Sequence, residues 1–267
     1  MLSKSQIKYI QSLHQKKFRT VTGAYIAEGP KIVEEAILQV PGLVEYVLGS
    51  PGWIAEHAPL LERIPRERII SVIPSELERV SALTTPNEVL AVLFKPADPA
   101  DRVNLADRAD PADPAAHALS VEGWRLALEG IRDPGNLGTI IRIADWFGVT
   151  DLLCSEDCAE LYNPKVIQSS MGSFLRVHVR YTDLAGALSA SSAQGRPIYA
   201  ATLGGEPITG LRDAAPGIVL IGNESKGISP AVLALATREV TIPRIGSAES
   251  LNAAVATGIL LSHFCGV

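Results

Sequence analysis

The sequence predicts an α/β protein, with a small amino-terminal α/β domain followed by a larger domain built on a parallel sheet. From residue 124 onward, short apolar runs alternate with segments of helical periodicity, as in a parallel sheet covered by helices. Near the carboxyl end, the apolar run 218–221 leads into Gly222, and the run 240–242 ends at Pro243. Each run predicts a buried strand that ends in a loop. Open α/β sheets bind ligands at such strand ends, so we expect the functional site there.

The amino-terminal domain is predicted to span residues 1–95. Ile7, Ile10 and Leu13 recur at helical intervals, and Ser75 with Glu78 predicts a capping box at the start of a short helix. The predicted elements are helices at 5–16, 31–38 and 75–83, an extended or looped segment at 19–29, and strands at 44–48, 69–73 and 89–94.

The composition changes after this domain. Residues 96–119 are rich in Ala, Asp and Pro, and the run 97–101 is echoed at 109–113. Such a segment buries too little apolar surface to offset its ordering entropy, which predicts a linker. A surface insertion with one helical turn near 103–105 is the alternative.

The carboxyl-terminal domain is predicted to span 120–267. Its last helix is almost uncharged and rich in small residues, which suits close helix packing. The predicted strands are 124–129, 151–154, 177–179, 198–201, 218–221 and 240–242, and the predicted helices are 137–147, 163–170, 183–193 and 250–264.

Composition limits the class of protein. The chain is 47% hydrophobic and 20% charged, as in ordinary globular proteins. It has neither an apolar run of membrane-spanning length nor a signal-peptide core, so we expect a cytoplasmic protein without membrane contact. Cys154, Cys158 and Cys265 are too few for a disulfide framework and lack partners at metal-ligand spacing, which favours reduced thiols and no metal.

Charge is unevenly distributed along the chain, whose net charge is −5. Residues 1–31 contain six basic residues against the single acid Glu28, whereas 96–122 is acidic. A basic amino end is compatible with phosphate contact, although a solvated helix face explains it equally well. The candidate phosphate-binding residues are Lys4, Lys8, Lys16, Lys17 and Arg19.

Common catalytic motifs are absent from the sequence. The loop 130–137 follows a strand and precedes a helix, but it lacks the Lys and Ser/Thr of a phosphate loop. No G-x-G-x-x-G opens the second domain, and no G-x-S-x-G or H-E-x-x-H occurs. Dinucleotide-dependent, hydrolytic and metal-dependent chemistries are therefore disfavoured.

Three polar stretches remain at 136–142, 222–227 and 250–252. Each has a structural explanation: Asn136 and Ser250 as helix caps, Arg142 as a surface charge, and Glu224 as part of a solvated turn. Asn252 is harder to explain in this way. It is placed in the first turn of an otherwise apolar helix, where a buried amide needs partners.

In their order and spacing, these stretches resemble the three motifs of the SpoU (TrmH-type) branch of the SPOUT methyltransferases, which methylate the ribose 2′-hydroxyl of tRNA or rRNA. The resemblance covers 124–265 and includes 163–165 and 170–172, which are similar to the family's intermediate segment. Residues 23–29 and the helix after them resemble the L30-related RNA-binding domain of many members. The resemblance implies a deep carboxyl-terminal trefoil knot and a homodimer whose site is completed across the interface.

The resemblance also implies the roles of individual residues. Arg142 matches the catalytic arginine, and Asn136 orients it or the ribose. Glu224, Ser250 and Asn252 hold the target nucleotide and the loops around the cofactor. S-adenosylmethionine is held, largely by backbone groups, at Leu203, Gly222, Ile242 and Leu251.

The chemistry requires an activated ribose oxygen. A ribose hydroxyl is a poor nucleophile near neutral pH, so the protein must position the oxygen and stabilise its developing charge. Some family schemes make the arginine a general base. The very high pKa of a guanidinium favours oxyanion and phosphate stabilisation by Arg142 instead.

Several alternatives remain open at the level of sequence. The resemblance implies rRNA more than tRNA as the substrate, because family members that act on large-subunit rRNA carry an amino-terminal domain of this size. A catalytically inactive RNA-binding homologue and a base methyltransferase are the other readings. Two departures from the family pattern are Ser225-Lys226, where Gly commonly follows the Glu, and Arg244, where an apolar residue is more usual.

Overall fold

The computed structural model describes residues 2–96 and 123–266, which form two units, each with its own sheet. In the amino-terminal unit, the strand order is β1-β4-β2-β3, with β4 antiparallel to both of its neighbours and β3 parallel to β2. The elements of this unit are α1 Lys4–Ser12, α2 Lys16–Thr22, β1 Ala24–Glu28, α3 Pro30–Gln39, β2 Val44–Gly49, α4 Pro51–Glu56, α5 Ala58–Leu61, β3 Ile69–Ser71, α6 Pro74–Val80 and β4 Val89–Phe94.

The two faces of this sheet bury alternate residues of each strand. Ala24 and Ile26 of β1 pack in the same cluster as Ile7 and Ile10 of α1. Tyr25, between them in sequence, faces the opposite side, where α3 packs. The core on the α3 side continues without interruption into the second unit. The amino-terminal unit is therefore joined to the rest of the protein through one face of its sheet.

The structure corrects three local predictions in this unit. Part of the segment predicted as extended or looped is helix α2, which ends at Gly23 in a left-handed conformation with φ of 66°. The Ser75–Glu78 capping box is wrong, because α6 begins at Pro74 and Glu76 instead accepts the N–H of Ile73 at 3.2 Å. The short helices α4 and α5 were not predicted.

The carboxyl-terminal unit confirms the parallel sheet with helices on both faces. Its strand order is β10-β8-β9-β5-β6-β7, and every neighbouring pair is parallel. The elements of this unit are β5 Arg125–Leu128, α7 Pro134–Trp146, β6 Asp151–Cys154, α8 Pro164–Ser170, β7 His178–Tyr181, α9 Leu184–Ala193, β8 Ile198–Pro207, β9 Ile218–Ile221, α10 Pro230–Leu233, β10 Arg238–Thr241 and α11 Ala253–Phe264.

Alternation along the strands assigns the helices to the two faces. Leu126 and Leu128 of β5 pack with α7, α8 and α11, whereas Ala127 packs with α9 and α10. β8 is longer than predicted, and its pairing with β10 shifts register between Glu239 and Val240. Residues 201–205 of β8, between these two paired segments, have no partner in β10.

Two helix starts differ from the predicted ones. Asp133 caps α7, three residues before Asn136, and accepts the Asn136 N–H at 2.9 Å. Asn252 is the cap of α11 and accepts the N–H groups of Ala254 and Val255 at 3.0 and 3.3 Å. The prediction that Ser250 caps the last helix is therefore wrong. Asn252 is the cap and precedes the first turn of α11 instead of lying within it.

The predicted linker 96–119 lies outside the described residues, except for Pro96. Within 2–96 and 123–266, no helix is both long enough and apolar enough to cross a lipid bilayer.

Candidate active site

A cavity of about 700 Å³ opens at the carboxyl ends of β9 and β10. Its wall is formed by residues 201–203 of β8, the 222–228 loop, the 240–251 segment and the first turns of α11. The four residues predicted to bind the cofactor line this cavity: Leu203, Gly222, Ile242 and Leu251. Glu224 and Ser250 line it as well.

The loop after β9 is tightly closed on itself. Asn223 and Gly227 exchange two backbone hydrogen bonds of 3.0 and 2.8 Å. A Cβ on Gly222 would lie 2.5 Å from the carbonyl carbon of Gly227, so only glycine fits there. The side chain of Asn223 also donates to the Gly130 carbonyl at 2.7 Å. The loop is thus held in one conformation against the loop that precedes α7.

Glu129, which directly follows β5, also forms hydrogen bonds with this loop region. Its carboxylate accepts the Ser229 N–H at 2.8 Å and the Ser229 hydroxyl at 2.6 Å. The sequence analysis did not identify Glu129 as a site residue, and the available signal was its position as the last residue of the predicted strand 124–129. Asn223 belongs to the polar stretch 222–227, which was part of the predicted site.

Three polar side chains from the three predicted motifs meet at one carboxylate oxygen. Glu224 Oε1 accepts hydrogen bonds from Asn136 Nδ2 at 2.6 Å, from Asn252 Nδ2 at 3.0 Å and from the Ala253 N–H at 3.2 Å. Asn252 Nδ2 also donates to Asn136 Oδ1 at 2.9 Å. We call Asn136, Glu224 and Asn252 the amide–carboxylate cluster. All its donors are neutral, and Glu224 forms no ion pair with any described residue.

The start of α7 is fixed by Asp133. Its carboxylate caps the helix through the Asn136 N–H and also lies 3.4 Å from Lys165 Nζ. The hydrogen bond from Asn136, more than the ion pair with Lys165, holds the pKa of Asp133 below its usual value. The cap positions the backbone of Asn136, whose side chain belongs to the cluster.

Arg142 does not join the cluster within one chain. It lies on the exposed side of α7, six residues beyond Asn136 and so about 9 Å farther along the helix axis. It does not line the cavity formed by the described residues of its own chain. Trp146, one turn beyond Arg142, is 84% exposed.

The structure corrects the prediction that Arg19 binds RNA. Its side chain is only 2% exposed, and its guanidinium donates to the carbonyls of Leu13 and His14 and pairs with Glu160. A guanidinium already satisfied in the interior is not available to a phosphate. The other four candidates, Lys4, Lys8, Lys16 and Lys17, are exposed.

The thiols are buried or partly buried, and among the described residues no group of three or more His, Cys, Asp or Glu is arranged to hold a metal. Cys158 lies beneath the loop that precedes α7 and accepts the Ile131 N–H at 3.3 Å. A hydrogen bond with Cys154 is the main cause that lowers the pKa of Cys158 to about 6.

Comparison with known proteins assigns the family. The SpoU rRNA Methylase family matches residues 123–262, and an MRM3-like substrate binding domain matches residues 4–91. The chain belongs to the SpoU rRNA methylase family. The family match spans all three polar stretches and the cavity between them.

This chain is similar to known rRNA methyltransferases over most of their length. The 23S rRNA (guanosine(2553)-2′-O)-methyltransferase RlmP of Bacillus subtilis is 31% identical, over 98% of this chain and 96% of that protein. The 23S rRNA (uridine(2479)-2′-O)-methyltransferase of Streptomyces viridochromogenes is 29% identical, over 93% and 85%. The structure of the SpoU methyltransferase AviRb from S. viridochromogenes, in complex with the cofactor AdoMet, superposes with a TM-score of 0.77 at 28% identity, covering 99% of this chain and 98% of that one.

Proposed function

We propose that this chain transfers a methyl group from S-adenosylmethionine to the 2′-hydroxyl of a ribose in rRNA. The observation that carries the proposal is the amide–carboxylate cluster at a cavity formed by the carboxyl ends of the sheet. Relatives of nearly equal length are named as 23S rRNA 2′-O-methyltransferases, which favours rRNA over tRNA. We also infer a cytoplasmic location, because these relatives are bacterial rRNA methyltransferases.

The cavity suits the cofactor that the AdoMet complex of AviRb contains. Its volume of about 700 Å³ lies within the usual range for small-molecule sites. The glycine at 222 keeps a wall of backbone groups free of side chains, and Leu203, Ile242 and Leu251 supply apolar surface. When bound, S-adenosylmethionine supplies a methyl group activated by its sulfonium charge, so no metal is required.

The protein's own residues position and activate the ribose oxygen. Asn136 and Asn252 hold Glu224 in place, and Glu224 and Ser250 line the cavity where the nucleotide rests. The hydrogen-bond donors of the Glu224 carboxylate are neutral N–H groups, so it is free to accept a hydrogen bond from a hydroxyl. Arg142 stabilises the charge that develops on the oxygen and grips a neighbouring phosphate.

A homodimer brings Arg142 to the site in this proposal. Arg142 and Trp146 share the exposed side of α7, and the adjacent helix α11 exposes Val255 and Ile259 one turn apart. Exposed apolar side chains on two packed helices favour a self-complementary interface. Across such an interface, Arg142 of one protomer reaches the cavity of the other.

The domain assignment is part of the proposal. We infer an L30-like RNA-binding domain at 1–95, a linker at 96–119 and a catalytic domain at 120–267. The match of an MRM3-like substrate binding domain to residues 4–91 supports this division, and the exposed Lys4, Lys8, Lys16 and Lys17 supply phosphate contacts. We also infer a trefoil knot at the carboxyl end, as membership of the SpoU family implies.

Methyl transfer from labelled S-adenosylmethionine to an in vitro transcript of 23S rRNA tests the function. We expect label in the RNA, and nuclease-resistant dinucleotides after digestion, because 2′-O-methylation blocks cleavage of the adjacent phosphodiester. Label in nuclease-sensitive mononucleotides would indicate base methylation. Label found only in tRNA would show that the substrate is tRNA and not rRNA. A protein that binds S-adenosylhomocysteine in calorimetry yet transfers no methyl to either RNA would contradict the proposal.

Mixing two inactive variants tests whether Arg142 acts across the dimer. We expect Arg142→Ala and Glu224→Gln each to be inactive alone. After subunit exchange, half of the dimers are mixed, and one of their two sites combines the intact Glu224 with the partner's intact Arg142. About a quarter of wild-type activity should return, whereas an arginine acting within its own chain would restore none.

A further inference from the structure

One guanidinium joins the amino-terminal unit to the helix that carries Asn136 and Arg142. Arg176 donates from Nε and Nη2 to Asp145 of α7, at 2.9 and 2.7 Å to Oδ2. Its Nη1 donates to Glu35 of α3 at 2.6 Å. Paired, charge-assisted hydrogen bonds of this kind fix both distance and orientation. The hydrogen bond with Asp145, followed by that with Glu35, raises the pKa of Arg176 above its already high value.

The backbone before Arg176 is shaped to bring Glu35 into this position. Met171 and Gly172 both adopt left-handed conformations, with φ of 51° and 94°. Methionine rarely adopts such a conformation, which indicates that the surrounding contacts enforce it. A Cβ on Gly172 would overlap the Glu35 carboxylate. Residues 170–172 therefore have a role that the sequence analysis left open, as the receiving surface for α3.

Aromatic and ionic contacts complete the same interface. The buried ring of Tyr25 lies 4.6 Å from Tyr162 and 5.9 Å from Phe174 between ring centroids. Glu160 pairs with Arg19 and with Lys95, the latter at 3.4 Å. These contacts fix the amino-terminal unit against the α8 side of the carboxyl-terminal unit.

Helix α8 transmits this placement directly to α7. A Cβ on Gly138 of α7 would lie 2.5 Å from the Val166 carbonyl of α8, so the two backbones are in close contact. Asn136, whose side chain holds Glu224, precedes Gly138 by half a turn. A shift of α8 or of Asp145 would therefore displace the amide–carboxylate cluster.

We propose that Arg176 is a positioning residue that sets which ribose is methylated, by fixing the amino-terminal unit relative to α7 through Glu35 and Asp145. The inference rests on the proposed function, because it requires RNA held by the amino-terminal unit and methylated at the cluster. RNA bound at one unit then reaches the cavity in a single register. We call the contacts of Arg176 with Glu35 and Asp145 the joint. If the joint were loosened, neighbouring riboses would reach the cavity as well.

Glu35→Gln tests the joint with the least disturbance, because it leaves the Arg176–Asp145 pair within the second unit. Arg176→Gln removes both contacts. The matched control is Arg180→Gln, since Arg180 has a similar exposure, at 38% against 34% for Arg176, and pairs with Asp151 inside the same unit. We expect kcat/KM for the 23S rRNA transcript to fall about ten- to a hundredfold in the two joint variants. Methyl groups should also spread to neighbouring riboses, while the affinity for S-adenosylhomocysteine matches that of the control.

Gly172→Ala tests the same joint from the backbone side. Alanine at this position both opposes the positive φ and overlaps Glu35. Gly195→Ala is the control, because Gly195 has φ of 77° but open space around its Cβ position. Both variants lose a little stability from the backbone term, but only Gly172→Ala should alter the position of methylation.

The outcomes separate this inference from the proposed function. Wild-type rRNA kinetics and an unchanged methylation position in Glu35→Gln and Arg176→Gln would overturn the inference and leave the proposed function intact. An inactive wild-type protein would overturn the proposed function instead. The joint would then be judged by spin-label distances between Leu38→Cys and Gln194→Cys in a Cys265→Ser background. A broader distribution of distances in Glu35→Gln than in the parent protein would support the positioning role of the joint, and an identical distribution would exclude it.

Discussion

Two polar networks in this protein hold acidic side chains in opposite ways. In the amide–carboxylate cluster, Glu224 is held by neutral N–H donors from Asn136, Asn252 and the backbone. At the joint between the units, Asp145 and Glu35 are held by the guanidinium of Arg176. Neutral donors fix a carboxylate without cancelling its charge, whereas an ion pair neutralises both partners. The guanidinium of Arg176 therefore offsets one of the two carboxylate charges around it, whereas no described cation offsets the charge of Glu224.

Arg142 differs from Arg19 and Arg176, because no described carboxylate pairs with it. Among the described residues it forms no ion pair, and it is exposed on α7. Arg19 and Arg176 each bind acids on the other unit. This contrast separates arginines that hold the fold together from the one to which we assign a contact with RNA.

Arg142→Ala should have the largest effect. Loss of a group that stabilises developing charge lowers kcat by about a hundred- to a thousandfold. The free energy of unfolding and the affinity for S-adenosylhomocysteine should not change, because the side chain has no partner within the described chain. Initial rates of methyl transfer, with Arg212→Ala as an exposed arginine control, measure this difference. Equal rates in the two variants would remove Arg142 from the mechanism.

Arg19→Leu tests the other half of the contrast. Removing one partner of a buried ion pair leaves Glu160 without its guanidinium, and we expect the free energy of unfolding to fall by about 3 kcal/mol. Lys16→Ala, on the exposed side of the same helix, should change it by less than about 0.5 kcal/mol. Urea denaturation compares the two. A fully stable Arg19→Leu protein with weakened RNA binding would restore the surface role that the sequence suggested.

These two arginines also show what sequence reasoning can reach. Arg142 belongs to a short stretch whose spacing to Asn136 is fixed by one helix, so its surroundings can be anticipated. The partner of Arg19 is 141 residues away in the chain, and no local pattern reveals that pairing. The charge pattern of the first helices therefore predicted a surface role for a buried residue.

Helices and strands were predicted well where the apolar periodicity is strong. They were predicted poorly where a single contact determines the first residue of a helix. The alternating strands of the parallel sheet come from continuous apolar runs and are confirmed. The cap of α11 could not be assigned, because Ser250 and Asn252 are both good capping residues. The loop geometry selects Asn252, whose amide also reaches Glu224. The meeting of the three motifs follows from parallel strand ends, whereas their hydrogen-bond pattern required coordinates.

Asn252→Asp separates the two roles of this side chain. Aspartate caps a helix as well as asparagine does, so the cap of α11 should be retained. It cannot donate to Glu224 or Asn136, and its charge would repel Glu224. We expect methyl transfer to fall about thirtyfold, by loss of the cluster's geometry. Glu206→Gln, which removes an exposed carboxylate of β8, is the control. If Asn252→Asp is as active as this control, the neutral donors are not needed.

Asp133→Asn should have the smallest effect, and the effect should depend on pH. The folded protein depresses the pKa of Asp133, first through the Asn136 N–H and then through Lys165. A depressed pKa means that the charge stabilises the fold above the unfolded value of about 3.9, and that this stability is lost as pH falls through the folded pKa. Asparagine keeps the cap and removes only the charge, so Asp133→Asn should be about 0.5 kcal/mol less stable at pH 7 and at pH 5. The difference should be smaller at pH 3, which lies below the unfolded pKa. Urea denaturation at the three pH values measures it, and Lys165→Gln should reproduce only a small part, because the backbone N–H is the larger cause. A difference that grew as pH fell would mean that Asp133 is not the charge that anchors α7.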